Sequence, residues 1–327
     1  MKYPIRYIIL SILLLLSVML SFSIGSASLS AQELLGGLCG QSGYETERLI
    51  LFSVRLPRLA AALIAGVGLA VSGVLLQNIM GNALASPNTI GVNAGAGLAA
   101  ILSIAIFPGS VLLLPFAAFI GAFFTSLLIL ALSKKAGGGR ATVVLAGIAC
   151  TTFFQAIISF LTAIDTDLLS QYSAFSVGGF RGITADRLLL PALLVALCLI
   201  ASLFLANKLA ILSLGDFIAS SLGIRVGLMR TLLLLIASMS AAAVISYAGL
   251  LGFVGLVVPH ITRRMMGAGI RHQLAGSALI GATLVLLSDL AGRLIFAPSE
   301  ISVGIVMAFI GAPFFFVLLM KRRSYDA

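Results

Sequence analysis

Ionisable residues are scarce in this chain, so the few inside or beside its apolar runs are the ones that could do chemistry. Asp289 and Arg293 lie four residues apart in one such run. On a helix that spacing puts both on one face, where carboxylate and guanidinium can pair. An acid inside a membrane span can also serve a proton relay, and Asp289 is the one acid well within an apolar run here. Arg55-Leu56-Pro57-Arg58 sets two guanidiniums at the mouth of a helix that Pro57 is expected to begin. Arg293 and Glu300 flank a turn between two further runs. Arginine forms bidentate pairs with carboxylates, so these side chains suit docking of an acidic partner, and equally contact with lipid headgroups.

Other reactive constellations are missing from the sequence. Gly137-Gly138-Gly139-Arg140 lacks the GxxxxGK[ST] spacing of a phosphate-binding loop. HExxH, CxxC and GxSxG do not occur. His260 and His272 are too few to suggest a metal site, and His260 is expected to pack or cap at its helix end. Cys39, Cys150 and Cys198 are odd in number, and two of them lie in apolar runs, against a disulfide framework or metal cluster. No catalytic residue, metal site or cofactor is expected in this chain, which is read as a non-enzyme. Energy for any uphill transport would have to come from outside it.

The elements that must position these residues are membrane helices. Of 327 residues, 61% are hydrophobic and 9% charged, where soluble chains carry about 25% charged residues. That is too little charge to cover a water-facing surface, and the long polar stretches of a soluble domain do not occur. One membrane domain over 1–327 is expected. Runs near the ~20 residues a span requires fall at 5–27, 57–78, 90–107, 111–133, 141–163, 188–206, 230–249, 250–266, 273–296 and 302–320. The first could pass for a signal peptide, with Lys2 and Arg6, an apolar run and small residues around Ala27; an uncleaved first helix is the preferred reading.

The net charge of +10 sits in short clusters between runs, which is a topology signal and not a nucleic-acid footprint. With a cytoplasmic N-terminus, ten spans return the C-terminus to the cytoplasm. Lys2, Arg6, Lys134, Lys135, Arg140, Lys208, Arg225, Arg230, Arg263, Arg264, Arg271, Lys321, Arg322 and Arg323 then fall inside. Glu33, Glu45, Glu47, Asp165, Asp167, Asp186 and Glu300 fall outside, with Arg48, Arg55, Arg58, Arg181, Arg187 and Arg293 against the trend. Small-residue stretches such as Ala65-Gly66-Val67-Gly68 and Ser72-Gly73 fit tight helix packing in lipid, or a glycine-rich pathway. Two segments between runs look organised. The outer one, 164–187, carries Tyr172, Phe175 and Phe180, with a short helix expected near 168–180. The inner one, 207–229, reads as two short amphipathic helices punctuated by Gly215, Asp216 and Gly223. Their apolar stripe could dock in a partner's groove or lie on the membrane.

The ordered set of motifs resembles a known family nearly end to end. It comprises Arg55-Leu56-Pro57-Arg58, Gly68-Leu69-Ala70-Val71-Ser72-Gly73 with Gln77, Asn82-Ala83-Leu84-Ala85-Ser86-Pro87, Leu145-Ala146-Gly147, Leu214-Gly215-Asp216 with Leu222-Gly223, Gly252-Phe253-Val254-Gly255 through Pro259-His260 with Arg263, and Gly311-Ala312-Pro313-Phe314. It resembles the permeases of type II ABC importers for iron-siderophores, haem and vitamin B12.

The resemblance implies an all-α bundle of ten membrane helices in a bacterial inner membrane and a homodimer around a central pathway. It also implies two cytoplasmic ABC ATPase subunits, which use ATP and Mg, and one extracytoplasmic binding protein. In that family the positions of Arg55, Arg58 and Arg293 receive glutamates of the binding protein. The loop matching Leu214, Gly215, Asp216, Phe217, Leu222 and Gly223 sits on the ATPase. The turn matching Asn82 and Leu84 helps to close the cytoplasmic gate; it reads Asn-Ala-Leu here where Asn-Pro-Leu is common. The cargo expected is a ferric-siderophore-type chelate, with haem, vitamin B12 or an oxyanion as variants. An ion-coupled secondary transporter is the rival of another class.

Overall fold

Backbone N–H and C=O groups in lipid must bond within their own segment, which leaves helices as the solution for isolated spans. Each of the apolar runs overlaps a helix in the computed structural model, which describes residues 2–25, 29–110, 112–295 and 297–323. Ala27, the centre of the signal-peptide reading, lies outside the described residues. The helices are α1 (Lys2–Ser23), α2 (Ala31–Cys39), α3 (Glu45–Leu49), α4 (Leu56–Met80), α5 (Val92–Ile106), α6 (Leu113–Lys135), α7 (Arg140–Ile164) and α8 (Thr166–Val177), then α9 (Leu189–Phe204), α10 (Ala206–Ser213), α11 (Asp216–Ser221), α12 (Val226–Ala248), α13 (Val254–Met266), α14 (Ile270–Leu294) and α15 (Val303–Arg323). Among the described residues, 7 helices are long and apolar enough to cross a membrane. Shorter α5 and α13 and the apolar α15 complete the bundle.

α4, α12 and α14 form its centre, and α4 packs along both of the others. Burying α4 on all sides requires small residues. A Cβ on Gly66 would lie 2.3 Å from the Gly281 carbonyl oxygen, and one on Gly281 would lie 2.3 Å from that of Gly66. A Cβ on Gly73 would fall 2.0 Å from the Gly255 oxygen. Of the two sequence readings of these glycines, tight packing therefore accounts for Gly66 and Gly73. Hydroxyls add interhelical bonds: Ser72 Oγ donates to Ala237 O (2.7 Å), Ser240 Oγ to Gly68 O (2.9 Å) and the Tyr247 hydroxyl to Ala61 O (2.9 Å). By contrast α1, α6, α7 and α9 turn large apolar side chains outward, as faces that meet lipid or another membrane subunit do.

Two prolines shape the local backbone. Pro57 stands in the first turn of α4, where its helix-start preference places it, but α4 continues an earlier helix without a break. The chain is helical from Glu45 to Met80, with a π-helical stretch at Ile50–Arg55. Pro57 lacks the N–H that an α-helix would use, and its ring crowds the preceding turn. The wider register, in which Leu56 N–H bonds Leu51 O, absorbs this just before the proline. Pro259 lies inside α13 and leaves Gly255 O without its helical donor. Gln77 Nε2 of α4 supplies one at 3.3 Å.

α13, at 13 residues, spans only about 20 Å at 1.5 Å per residue, so backbone 249–253 falls at membrane depth. Irregular backbone there must be buried in protein. The end of α8 meets it: Leu250 N–H bonds Phe175 O (3.0 Å), Gly179 N–H bonds Ala248 O (2.8 Å), and Gly304 N–H of α15 bonds Gly178 O (3.3 Å). A Cβ on Gly304 would sit 1.8 Å from Val177 O, so only glycine allows this seam. His260 lies in mid-helix and not at a helix end; its Nδ1 is 2.9 Å from Leu256 O, and its ring meets Phe314 edge-on.

Candidate functional site

Two polar clusters mark opposite ends of the bundle. At one end, α1 stops at Ser23 beside the start of α4 and the end of α14. The last four carbonyls of a helix have no partner within it. Here arginines supply donors to those of Ser21 to Ile24. Arg55 Nη1 donates to Phe22 O (2.8 Å) and Ser23 O (2.7 Å). Arg293 donates to Ile24 O (3.1 Å), to Ser21 O (3.3 and 3.4 Å) and to Ser21 Oγ (2.6 Å).

Asp289 lies beneath them, 2% exposed. Arg58 grips it with Nε and Nη2 at 3.0–3.1 Å, and Arg293 Nε stands 3.1 Å from its Oδ2. Arg58 Nη1 also donates to Glu300 at 2.8 Å. Arg55 and Arg293 are buried at 5% and 4% exposure. The sequence places these arginines at an open mouth, whereas the fold turns them inward. The side chains of Arg58 and Glu300 stay partly accessible and line a polar recess of about 590 Å³ with Arg181, Thr184 and Ser299. A carboxylate held by two guanidiniums is poorly placed to pass a proton, which weighs against the ion-coupled rival.

At the other end, the 207–229 segment holds α10 and α11. Gly215, at φ 120°, turns the chain between them. Asp216 begins α11 and accepts two bonds from Arg230 of α12, at 2.7 and 2.8 Å. Arg140, at the start of α7, comes within 3.6 Å of the same carboxylate and donates to Leu212 O at 3.2 Å. Arg230 also reaches Gly138 O. These bonds hold α10 and α11 against α7 and α12, while Leu214, Phe217 and Leu222 project outward, Phe217 at 84% exposure.

The Asn82–Leu84 turn lies beside this platform. α4 ends with Gly81 in the left-handed region, Gly81 N–H bonded to Asn78 O and Asn82 N–H to Gln77 O. Asn82 Oδ1 then accepts Leu84 N–H at 3.0 Å, a side-chain turn that holds the chain although Ala83 stands where proline is common. A Cβ on Gly81 would lie 2.4 Å from Arg140 Nη1. Arg140 thus spans the space between this turn and the α10–α11 platform. Sequence reasoning took Arg140 and Arg230 only as topology charges. It also paired Asp289 within its own helix and missed Arg58, because partners far apart in sequence carry no spacing signal.

Helices of this length and apolarity define a multi-pass membrane protein, and comparison with known proteins narrows the class. Residues 13–321 match the FecCD transport family, and the chain belongs to it. It is 36% identical over 322 residues to the Fe(3+)-citrate import system permease protein YfmE of Bacillus subtilis (strain 168), covering 97% of this chain and 96% of that one. It is 36% identical over 325 residues to the hemin transport system permease protein HmuU of Yersinia pestis, covering 97% and 96%. A solved structure described as an inward-facing conformation of a metal-chelate type ABC transporter superposes with a TM-score of 0.87 at 32% identity, covering 98% of this chain and 100% of that chain. These relatives are transport subunits and not enzymes, and an ABC ATPase partner is implied for this chain.

Proposed function

We propose that this chain is the permease subunit of an importer for ferric chelates of the siderophore type, driven by Mg-dependent ATP hydrolysis in a separate ABC ATPase. The observation that carries the reading is end-to-end similarity to permeases whose names specify Fe(3+)-citrate and hemin import. The α10–α11 platform supports it: exposed Leu214, Phe217 and Leu222 stand on a base fixed by Asp216, Arg230 and Arg140. That is an apolar face on a rigid support, suited to a partner's groove. In this reading Leu214, Gly215, Asp216, Phe217, Leu222 and Gly223 meet the ATPase, and Asn82 and Leu84 gate the pathway beside them.

Following the positive-inside rule, the Asp216 end and both termini are cytoplasmic and the membrane is a bacterial inner membrane. Two copies of the chain enclose the pathway and engage two ATPase subunits. An extracytoplasmic binding protein docks at the Arg58 end. Arg58 reaches its acidic side chains through the polar recess, and Arg55 and Arg293 act indirectly by fixing α1. Transport follows alternating access, in which nucleotide binding favours one of two bundle packings. Proteoliposomes holding the permease with its ATPase and binding protein should accumulate ⁵⁵Fe-labelled ferric citrate or ferric hydroxamate only with ATP, and should continue when the proton gradient is collapsed. Accumulation by the permease alone, or its abolition by collapse of the gradient at constant ATP, would refute the reading.

A further inference from the structure

The bundle holds a second recess, of about 580 Å³, on its lipid-facing side at the Arg58 end. It lies between the end of α5, the start of α6, α8, the 181–187 loop, the start of α9 and the end of α12. Its size falls within the roughly 300–1,000 Å³ of small-molecule sites. Its inner wall is apolar, with Ile104, Leu114, Phe119 and Leu194 among its residues. Two hydroxyls on that wall are already used inside the protein, Ser246 Oγ on Ala243 O and the Tyr247 hydroxyl on Ala61 O. Ser103, Ser110 and Gln171 are the other uncharged polar side chains among its apolar lining.

The rim differs. Arg181 and Arg187 stand at its water-facing edge with Asp186, a net positive pair of guanidiniums. Arg187 Nε is buried and has no hydrogen-bond partner. The residue as a whole is half-buried and lines the recess, so the rest of its guanidinium is within reach of an acceptor placed there. Around the mouth, Leu112, Phe116, Leu189 and Leu190 are exposed, as on a surface that faces acyl chains. Apolar depth, a cationic rim and a mouth open to lipid are the complement of one molecule class.

We propose that this recess binds an anionic phospholipid, with an acyl chain between α6 and α9 and the phosphate on Arg181 and Arg187. Neither the iron cargo nor the ATPase enters this argument, so the site stands or falls apart from the transport reading. The test is native mass spectrometry of the full chain released from nanodiscs of phosphatidylcholine with a minority of phosphatidylglycerol. Wild type should retain one phosphatidylglycerol per chain in preference to phosphatidylcholine. Arg181→Gln and Arg187→Gln should each weaken that preference about fivefold, the effect of one basic residue at an anionic surface. Leu190→Trp, on the lipid face, should obstruct the mouth and lower retention of both lipids. Equal retention of the two lipids by wild type overturns the proposal. So does a phosphatidylglycerol preference that survives both arginine changes, or lipid retention that Leu190→Trp leaves unchanged.

Discussion

Replacing Asp289 with asparagine tests whether the arginine cluster holds the bundle together. Asp289 is buried, accepts from Arg58 at 3.0–3.1 Å and stands 3.1 Å from Arg293 Nε. The substitution keeps the shape and removes the charge, leaving two guanidiniums over one remaining carboxylate. Glu300 still compensates Arg58 at 2.8 Å, but Arg293 loses its carboxylate. Removing one partner of a buried pair costs about 3–5 kcal/mol, and the surviving Glu300 contact places this case near the lower end. With an unfolding entropy of about 2.1 cal/mol/K per residue, a chain of 327 residues shifts by about 1.5 °C per kcal/mol, so unfolding should fall by roughly 4–5 °C. The measurement is the temperature at which the monodisperse peak is lost in detergent, at one heating rate for all variants because such unfolding is commonly irreversible. A shift for Asp289→Asn equivalent to less than about 1 kcal/mol, the value of an exposed pair, would refute the claim that these charges are buried and mutually dependent.

Two further outcomes follow from the geometry. Arg140→Gln should leave the permease associated with its ATPase but lower cargo moved per ATP hydrolysed by roughly 2- to 30-fold, the range given by 0.5–2 kcal/mol of coupling; an unchanged ratio in proteoliposomes would remove Arg140 from the link between platform and turn. Gly66→Ala should cost about 1–3 kcal/mol through overpacking against Gly281, whereas Gly252→Ala, with open space around its Cβ position, should leave thermal unfolding within about 0.5 kcal/mol of wild type.

Much of the fold is legible in the chain because lipid allows few solutions. Apolar runs near span length had to be helices, and every one overlaps a helix. The small residues at Gly66 and Gly73 announce close approach, though not the partners Gly281 and Gly255. What escapes is whatever depends on residues distant in the chain. Pro57 reads as a helix start by its local preference, yet a π-helical stretch lets the helix run through it. Asp289 and Arg293 share a face by spacing alone, but the closer grip on Asp289 comes from Arg58, which lies on a different helix. Asp216 and Arg230 form the tightest ion pair at the platform, and their separation matches no helical spacing.

The arginines at the Arg58 end show why charge counting alone cannot assign their role. Arginines on the outer face oppose the positive-inside trend, which makes them look like a surface kept for an external partner. In the fold, Arg58 and Arg293 pair with two carboxylates, Asp289 and Glu300, and Arg55 beside them leaves one net positive charge. The C-terminus of α1 brings roughly half a negative charge to the same place, concentrated on the carbonyls that Arg55 and Arg293 bond. The cluster is thus close to neutral and contributes little to the field that sets topology. Its cost of burial is offset because each group answers another: helix-end carbonyls need donors, the arginines need anions, and the anions need both arginines. Any acidic partner at this end must therefore meet Arg58 at its remaining accessible edge without drawing it from Asp289.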